Sequence, residues 1–344
     1  MLELAKVEYR FLFYVEKREM LKEEKMYRFS IIVPCYNIAG NIEALFKMLS
    51  PKDFLDYEVI FVDDCSKDNS FDVMKKYVGN YPNYRVLQTE KNGGPGLARN
   101  FGLNAASGEY ILFCDSDDEF DISCLSVVDS FLTEHPDADM LVFPHEQVRG
   151  GKRTRNDTYN AYIDQSLVHR NDVATGCLTP FAKVLKLDLI REKNVYFPGR
   201  MTGEDICFVT EYAIYAKSIY KLDIIYYRYI MNPGSITHQY KMPLEIKTTF
   251  DILQPIYREH FPEIETIMFA NGHLLTRAKQ MCSASMSLRQ ISQWFKKENQ
   301  RYPGWIKEID LKKESLYRRS IYQAMYHSNG ILIKLIMLVR DYLY

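Results

Sequence analysis

Short apolar runs alternate with helical segments through the first third of the chain, and this alternation limits the possible folds more than any other feature. Between the runs, apolar residues such as Ile42, Leu45 and Phe46 recur at helical spacing. Runs that are apolar at consecutive positions are typical of strands buried on both faces, as in a parallel sheet covered by helices. We therefore predict an α/β fold with a mainly parallel, Rossmann-like sheet flanked by helices. The predicted strands are residues 29–34, 57–62, 84–88 and 110–114.

Polar side chains collect where these predicted strands end. Asn37 follows the first strand, Asp64 follows the second, and the sequence Asp-Ser-Asp-Asp at residues 115–118 follows the fourth. Right-handed crossovers place the carboxyl ends of parallel strands at one edge of a sheet, where open α/β sheets bind ligands. Carboxylates that cluster there suit a hard divalent cation. The sequence thus predicts a metal-assisted site for a phosphorylated substrate.

The composition is that of an ordinary globular protein with free cysteines. The chain has 344 residues, 47% of them hydrophobic, and a formal net charge of -1, which gives no reason to expect a nucleic-acid partner. Its seven cysteines are scattered and contain no Cys-x-x-Cys pair, as is typical of reduced thiols in a cytoplasmic protein. No segment reaches the roughly 18 uninterrupted apolar residues of a membrane-spanning helix.

The two ends of the chain differ from its centre. Residues 1–28 are dense in Glu, Lys and Arg. They form either a charged amphipathic helix or an extension that precedes a start at Met26. Strand signals then continue until helical periodicity takes over in the last third of the chain. We therefore predict a main domain over residues 29–240 and a helical C-terminal region over residues 241–344.

The C-terminal region carries a strongly apolar stretch at residues 331–339, interrupted by Lys334. Pairs of basic residues precede it at 312–313 and 318–319. This arrangement is typical of a helix that lies on a membrane surface, but a terminal helix docked on the protein also shows one apolar face. Two alternatives therefore stand: a docked helix, and peripheral contact with the inner face of the cell membrane.

Five motifs together resemble the family 2 glycosyltransferases, which have the GT-A fold, and the resemblance extends over residues 29–238. They are Val-Pro-Cys-Tyr-Asn (33–37), Val-Asp-Asp-Cys-Ser (62–66), Asn-Gly-Gly-Pro-Gly-Leu-Ala-Arg-Asn (92–100), Asp-Ser-Asp-Asp (115–118) and Gly-Glu-Asp (203–205). The resemblance implies an inverting enzyme of polysaccharide or glycoconjugate biosynthesis. Such an enzyme transfers a sugar from a nucleotide-diphosphate donor, commonly a UDP-sugar, to an acceptor hydroxyl of a glycan or glycolipid.

The resemblance also implies roles at the acidic strand end. Asp117 is the first choice as a ligand of Mn²⁺ or Mg²⁺, and Asp115 orients the nucleotide ribose or a metal-bound water. Asp118 is either a second metal ligand or the N-cap of the following helix, a position that favours Asp. His238 is a further candidate for the metal or the diphosphate, although a lone histidine is more often structural. A cation there would stabilise the charge that develops on the departing diphosphate.

Further motif residues are predicted to bind the donor nucleotide. The Asp64 carboxylate resembles the family residue that accepts a hydrogen bond from the uracil ring. Arg99 resembles the family arginine near the base and diphosphate, with a surface arginine as the alternative. Lys183, in Phe-Ala-Lys, would face the diphosphate. The set is completed by residues of the first and fourth motifs: Pro34, Tyr36, Asn37 and Ser116.

Activation of the acceptor is assigned to the Gly-Glu-Asp motif. A hydroxyl is a poor nucleophile, so a carboxylate must accept its proton as it attacks. The resemblance makes Asp205 this general base, and Glu204 either holds the acceptor or positions Asp205. The alternative is an acidic pair that the macrodipole favours at a helix N-terminus.

Two other functions fit parts of this pattern. A catalytically silent nucleotide-sugar binding protein would keep the donor residues, but every acidic position of an active enzyme is present. A nucleotidyltransferase would need a glycine-rich, basic loop after the first strand, and residues 35–39 (Cys-Tyr-Asn-Ile-Ala) are neither. Residues 150–170 are predicted to be irregular, and residues 150–173 and the C-terminal region are expected to form the acceptor pocket.

Overall fold

The computed structural model divides into two compact units, with the division between Pro233 and Gly234. The described residues are 27–50, 54, 56–156, 168, 170, 173, 179–199, 203–231, 249–284, 286–312 and 314–343. The predicted N-terminal extension falls almost entirely outside these residues, and so does His238. The predicted domain limits at residues 28–29 and 240–241 stay a prediction.

The first unit contains two sheets. The described strands are β1 (Tyr27–Cys35), β2 (Tyr57–Asp63), β3 (Tyr84–Gln88), β4 (Gly108–Phe113), β5 (Glu119–Phe120), β6 (Met140–Val142), β7 (His145–Arg149), β8 (Lys152–Asn156), β9 (Lys183–Lys186), β10 (Ile219–Lys221) and β11 (Tyr227–Ile230). The large sheet has the order β10-β6-β9-β4-β1-β2-β3, and the small sheet has the order β5-β11-β7-β8. All neighbours in the large sheet are parallel except β9, which is antiparallel to β4 and β6. The predicted α/β fold with a mainly parallel sheet is confirmed.

Helices cover both faces of the large sheet. They are α1 (Ile42–Leu49), α2 (Ser70–Val78), α3 (Pro95–Ala105), α4 (Cys124–Glu134), α5 (Leu187–Lys193) and α6 (Glu204–Tyr215). Side chains alternate along β1, so Ile31 belongs to the core cluster that includes Phe46 of α1, and Ile32 belongs to the cluster that includes Ala98 of α3. The central strands are therefore buried on both faces, which is why they are apolar at consecutive positions.

The small sheet contains a hairpin that the polar sequence conceals. The prediction of irregular structure over residues 150–170 is wrong at its start, because β7 and β8 form an antiparallel pair there. Gly150 and Gly151 connect the two strands with φ angles of 54° and 80°, as a two-residue hairpin turn requires. β8 has the sequence Lys-Arg-Thr-Arg-Asn and is exposed along most of its length. It therefore lacks the apolar alternation by which strands are recognised.

The second unit is built of helices over its described residues. They are α7 (Thr249–His260), α8 (Pro262–Met268), α9 (Thr276–Ser283), α10 (Leu288–Arg301), α11 (Leu316–Tyr326) and α12 (Gly330–Leu343), with a π-helical stretch at Phe269–Leu275 and a 3-10 helix at Trp305–Glu308. In α12, Ile333 and Met337 are buried, whereas Ile331, Leu335 and Leu338 are exposed. The helix thus docks on this unit with one face and presents a second apolar face to solvent. Among the described residues, none of the helices combines the length and the apolar character that a membrane span requires.

Candidate active site

The polar ends of β1, β2 and β4 are tied together at one edge of the large sheet. The Asn37 amide donates a hydrogen bond to the Ser66 hydroxyl (2.9 Å), and the Asn37 side chain accepts one from the Lys67 amide (2.8 Å). Asn41 donates to the Ser116 carbonyl (3.2 Å). Asn37 has a left-handed φ of 53° in this turn, which asparagine tolerates better than most residues. The structure therefore brings the three strand ends to one place.

The three carboxylates of the acidic loop, residues 115–118, have different surroundings. Asp117 is exposed to solvent, and Asp115 is partly buried. Asp118 is buried, and its two oxygens accept hydrogen bonds from the Tyr227 hydroxyl (2.5 Å) and the Ile230 amide (2.7 Å). Asp118 therefore fastens the acidic loop to β11, while Asp117 points its charge to solvent.

The surroundings of Asp118 also change its acidity. Burial raises the pKa of Asp118 to about 8, and the nearby charge of Asp115 acts in the same direction. The predicted alternative for Asp118 as an N-cap of the following helix is wrong, because Ser123 occupies the N-cap position of α4. Its other predicted role, as a metal ligand, stays a prediction.

Tyr227 is a site residue for which the sequence carries no signal. Its hydroxyl accepts a hydrogen bond from the Asp115 amide (3.2 Å) while it donates to Asp118, so one side chain holds both ends of the acidic loop. Its ring stacks on Phe181 with 4.4 Å between the centroids. Tyrosine is common in half-buried strands, and these partners lie 112 and 109 residues away along the chain. The role of Tyr227 emerges only from the packing of β11 against the loop.

Arg99 links the acidic loop to the Gly-Glu-Asp motif. Its guanidinium is buried, donates to the Asp115 carboxylate (2.5 Å) and lies over the ring of Phe197, 5.3 Å from the centroid. Burial lowers the pKa of Arg99, but the charges of Asp115, Asp205 and Glu204 outweigh burial, so the pKa is raised overall. Arg99 is therefore a buried cation shared by the acids of two motifs, and not the surface arginine of the alternative.

The Glu-Asp pair begins α6 beside the first turn of α3. A Cβ atom at Gly96 would lie 2.7 Å from Cγ of Glu204, so the lack of a side chain at Gly96 permits this close approach. Burial raises the pKa of both acids. The charge of Asp205 adds to this effect at Glu204, whereas the charge of Arg99 opposes it at Asp205. The pair does lie in the first turn of a helix, where acids are favoured, and it also lies within the field of a buried cation.

Asp64 holds the glycine-rich loop that leads into α3. Its carboxylate accepts hydrogen bonds from the amides of Gly93 (3.0 Å) and Gly94 (2.7 Å) and from the Thr89 hydroxyl (3.0 Å). These bonds position the loop at the end of β2. The predicted contact between Asp64 and a uracil ring stays a prediction.

The remaining predicted donor residues differ in exposure. Pro34 is buried in β1, whereas Tyr36 is exposed beyond the end of that strand. Lys183 is buried at the start of β9, where its ammonium group donates to the carbonyls of Thr179 and Phe181. Its predicted contact with a diphosphate stays a prediction.

The acidic loop suits a cation that is shared with the substrate. Among the described residues, no three His, Cys, Asp or Glu side chains are grouped so that they could hold a metal ion by themselves. Mg²⁺ is usually bound by one or two carboxylates together with substrate phosphates and water. The exposed carboxylate of Asp117, next to Asp115, provides such an incomplete set. The donor atoms therefore fit a divalent cation that a diphosphate also binds.

A mainly parallel sheet with acidic side chains gathered at its carboxyl edge defines the class of the protein as an α/β fold with a candidate ligand site at that edge. Residues 30–192 match the family model described as glycosyl transferase family 2. These residues of the chain belong to this family, and the chain has the GT-A fold, as its motifs predict.

Similar proteins support this membership. The poly(ribitol-phosphate) beta-N-acetylglucosaminyltransferase TarS of Staphylococcus aureus (strain Mu50) is 30% identical over 280 residues, which cover 78% of this chain and 48% of TarS. The poly(ribitol-phosphate) beta-glucosyltransferase of Bacillus spizizenii is 30% identical over 283 residues, with coverage of 78% and 44%. The chain thus spans less than half the length of these relatives. The crystal structure of S. aureus TarS 1-349 in complex with UDP-GlcNAc superimposes with a TM-score of 0.67 and 25% identity, covering 92% of each chain.

Proposed function

We propose that the protein is an inverting glycosyltransferase that moves a sugar from a nucleotide-diphosphate donor, a UDP-sugar, to an acceptor hydroxyl. The observation that carries this proposal is the buried Arg99, which pairs with Asp115 and lies within electrostatic reach of Asp205. Arg99 thereby joins a donor-side motif and an acceptor-side motif in one site. The similarity to a structure that holds UDP-GlcNAc supports the choice of a uridine nucleotide.

On the donor side, Asp117 would hold Mn²⁺ or Mg²⁺ together with the diphosphate. When bound, this cation stabilises the negative charge that develops on the leaving diphosphate. Asp115 orients the nucleotide ribose and is itself held by Arg99 and by the Tyr227 hydroxyl. Asp118 positions the loop, because both of its oxygens already accept hydrogen bonds within the fold. The Nε of Arg99 is buried and has no hydrogen-bond partner among the described residues.

On the acceptor side, Asp205 accepts the proton of the attacking hydroxyl. The hydroxyl oxygen forms a bond to the anomeric carbon while the bond from that carbon to the diphosphate breaks, and attack from the face opposite the leaving group inverts the configuration. Burial raises the pKa of Asp205 and so makes it a stronger base, while the charge of Arg99 limits this rise. Glu204, fixed against Gly96, positions Asp205 or holds the acceptor.

The acceptor is a glycan or glycolipid of surface-polysaccharide biosynthesis, and we propose a polymer linked by phosphodiesters. Two relatives are named for their action on poly(ribitol phosphate). A small acceptor would need only contacts close to Asp205. A charged polymer would also need a surface of opposite charge on the first unit.

A second proposal concerns α12, which offers a surface for peripheral contact with the inner face of the cell membrane. Its exposed Ile331, Leu335 and Leu338 lie along one side of the helix, and residues 330–340 contain no acidic residue. This combination suits an anionic membrane. We expect the protein to sediment with vesicles that contain phosphatidylglycerol, and the Leu335→Glu/Leu338→Glu variant to remain in solution. Equal sedimentation of both proteins would leave α12 as a docked helix without membrane contact.

A donor screen that measures nucleotide release tests the proposed reaction. We expect release of UDP from at least one UDP-sugar in the presence of Mn²⁺ or Mg²⁺. Asp205→Asn should lower transfer by about 100-fold or more, in the range of general base catalysis, while UDP still raises the melting temperature. Asp117→Asn should raise the cation concentration needed for half-maximal activity. The matched control is Asp72→Asn, at an exposed acid of α2, which should retain wild-type activity.

Two outcomes would contradict the proposal. Full activity of the Asp205→Asn variant would show that Asp205 is not the general base. Thermal stabilisation by UDP without turnover of any donor would identify a catalytically silent nucleotide-sugar binding protein instead.

A further inference from the structure

The β7–β8 hairpin carries a concentrated positive charge. Residues 149–155 include four basic residues and no acidic residue. Three of them, Arg149, Lys152 and Arg153, are exposed, and within the described part of the chain none of the three has a carboxylate partner. The fourth, Arg155, pairs with Asp223. The tip of the hairpin therefore presents three exposed cations that have no carboxylate partner among the described residues.

The stability of the fold does not account for this charge. Arg149 lies directly opposite Lys152 across the hairpin, and like charges at opposed positions destabilise a sheet. β8 is the edge strand of the small sheet, where charge discourages pairing with other chains. However, charge of either sign protects an edge strand against pairing with other chains. This protection does not require adjacent cations. The acid of the hairpin, Glu146, is already engaged by Arg228 (2.8 Å).

The hairpin is connected to the acidic loop through the small sheet. The Ile230 amide of β11 donates to Asp118 (2.7 Å). Ile230 pairs with Val148 of β7, and Val148 pairs with Arg153 of β8. Neighbouring strands lie about 4.8 Å apart, so two steps across the sheet place the Arg153 backbone about 10 Å from that of Ile230. A polymer held at the hairpin is therefore within reach of the candidate active site on the same unit.

We propose that Arg149, Lys152 and Arg153 bind the phosphate groups of an anionic acceptor polymer and present it to the active site; this inference rests on the glycosyltransferase function proposed above. Guanidinium and ammonium groups bind phosphate oxygens through charge-assisted hydrogen bonds. Contacts with several phosphates of one polymer reinforce each other, since each later contact forms within the same complex.

The composition of the hairpin favours a polymer over a membrane. β8 contains no apolar side chain, and the turn consists of two glycines. Membrane-surface elements combine basic residues with an apolar face that enters the lipid. The hairpin offers charge without such a face, which suits a hydrated polyanion.

Binding of fluorescein-labelled poly(ribitol phosphate) to the full chain, measured by fluorescence anisotropy, tests the proposal. The Arg149→Gln/Lys152→Gln/Arg153→Gln variant removes the charge and keeps long polar side chains. We expect its Kd to rise by roughly 10- to 100-fold, the product of about two- to fivefold for each exposed charge. The dependence of log Kd on log salt concentration should also become shallower, since fewer counterions are released.

Two controls separate the hairpin from general effects of charge and folding. The Lys47→Gln/Lys75→Gln/Lys76→Gln variant loses the same charge at exposed positions of α1 and α2 and should bind the polymer as the wild type does. The Arg149→Lys/Arg153→Lys variant keeps the charge and should stay within about threefold of the wild type. Equal weakening in both triple variants, or weak binding by the lysine variant, would overturn the proposal.

The binding assay requires no turnover, so its result is distinct from that of the donor screen. Wild-type binding of the polymer without nucleotide release would contradict the transferase function and leave the binding surface in place. Unchanged polymer binding by the hairpin variant would overturn the hairpin proposal alone. A hairpin variant that loses binding to phosphatidylglycerol vesicles but keeps the polymer would also overturn it, in favour of a membrane contact.

Discussion

The Tyr227→Phe substitution tests whether the acidic loop depends on β11 for its position. The variant keeps the ring that stacks on Phe181 and removes the hydroxyl that donates to Asp118 (2.5 Å) and accepts from the Asp115 amide (3.2 Å). A hydrogen bond to a charged group contributes about 1.5–3 kcal/mol, and one between neutral groups about 0.5–1.5 kcal/mol. With an ionised Asp118, the loss of both bonds would therefore cost about 2–4.5 kcal/mol.

Protonation of Asp118 reduces this cost. Burial raises the pKa of Asp118 to about 8, and the hydrogen bond from Tyr227 opposes this rise. The pKa is thus higher still in the variant, and the carboxyl group is mostly neutral at pH 7. Both lost hydrogen bonds then join neutral groups at about 1 kcal/mol each, so we expect the free energy of unfolding to fall by about 2 kcal/mol.

Urea denaturation at pH 7 measures this stability, and calorimetric titration with UDP and Mn²⁺ measures the donor site. Substitution of a residue that supports metal ligands typically weakens metal binding by about 10- to 100-fold. We therefore expect the Tyr227→Phe variant to bind UDP–Mn²⁺ at least about tenfold more weakly than the wild type. The control is Tyr226→Phe, which removes the neighbouring hydroxyl that donates to the Lys183 carbonyl (3.3 Å) and should keep nucleotide affinity. Unchanged UDP–Mn²⁺ affinity in Tyr227→Phe would refute the reasoning that β11 positions the loop.

Two further predictions concern the contact between α3 and α6 and the core of the second unit. Gly96→Ala places a methyl group 2.7 Å from Cγ of Glu204; we expect about 1–3 kcal/mol of destabilisation and a greater loss of transfer than of UDP binding in kinetic and thermal-shift assays. Gly79→Ala, whose Cβ would approach no described atom closer than 3.5 Å, is the control, and equal effects would contradict the prediction. Burial lowers the pKa of His273, but hydrogen bonds to two carboxylates outweigh burial and raise the pKa above its ordinary 6.5. The stabilisation by charged His273 is therefore complete below pH 6.5 and is lost as the pH rises through the raised pKa. Both tryptophans lie in this unit, so unfolding followed by their fluorescence at a series of pH values should show the loss of this stabilisation. A His273→Gln variant whose stability has the same pH dependence as that of the wild type would contradict this account.

Most of the sheet could be predicted because its signals are local. Each central strand of the large sheet is covered by helices on both faces, so burial acts at every position and leaves a continuous apolar run. The exposed edge strand β8 has no such requirement, and its polar sequence predicts no strand at all. There a turn of two glycines with positive φ, and the hydrogen bonds to β7, create the strand.

The candidate site divides in the same way. The sequence by itself determined which residue types gather at the strand ends, because the order of strands and crossovers places those ends at one edge. Only the tertiary structure decided that Asp117 is exposed while Asp118 is buried, and that Arg99 lies between the acids of two motifs. The exposure and the pKa of these side chains depend on partners such as Tyr227, which lie in elements 100 or more residues away along the chain. Such contacts exist only once the elements have packed, and nothing in the local sequence of the acidic loop encodes them.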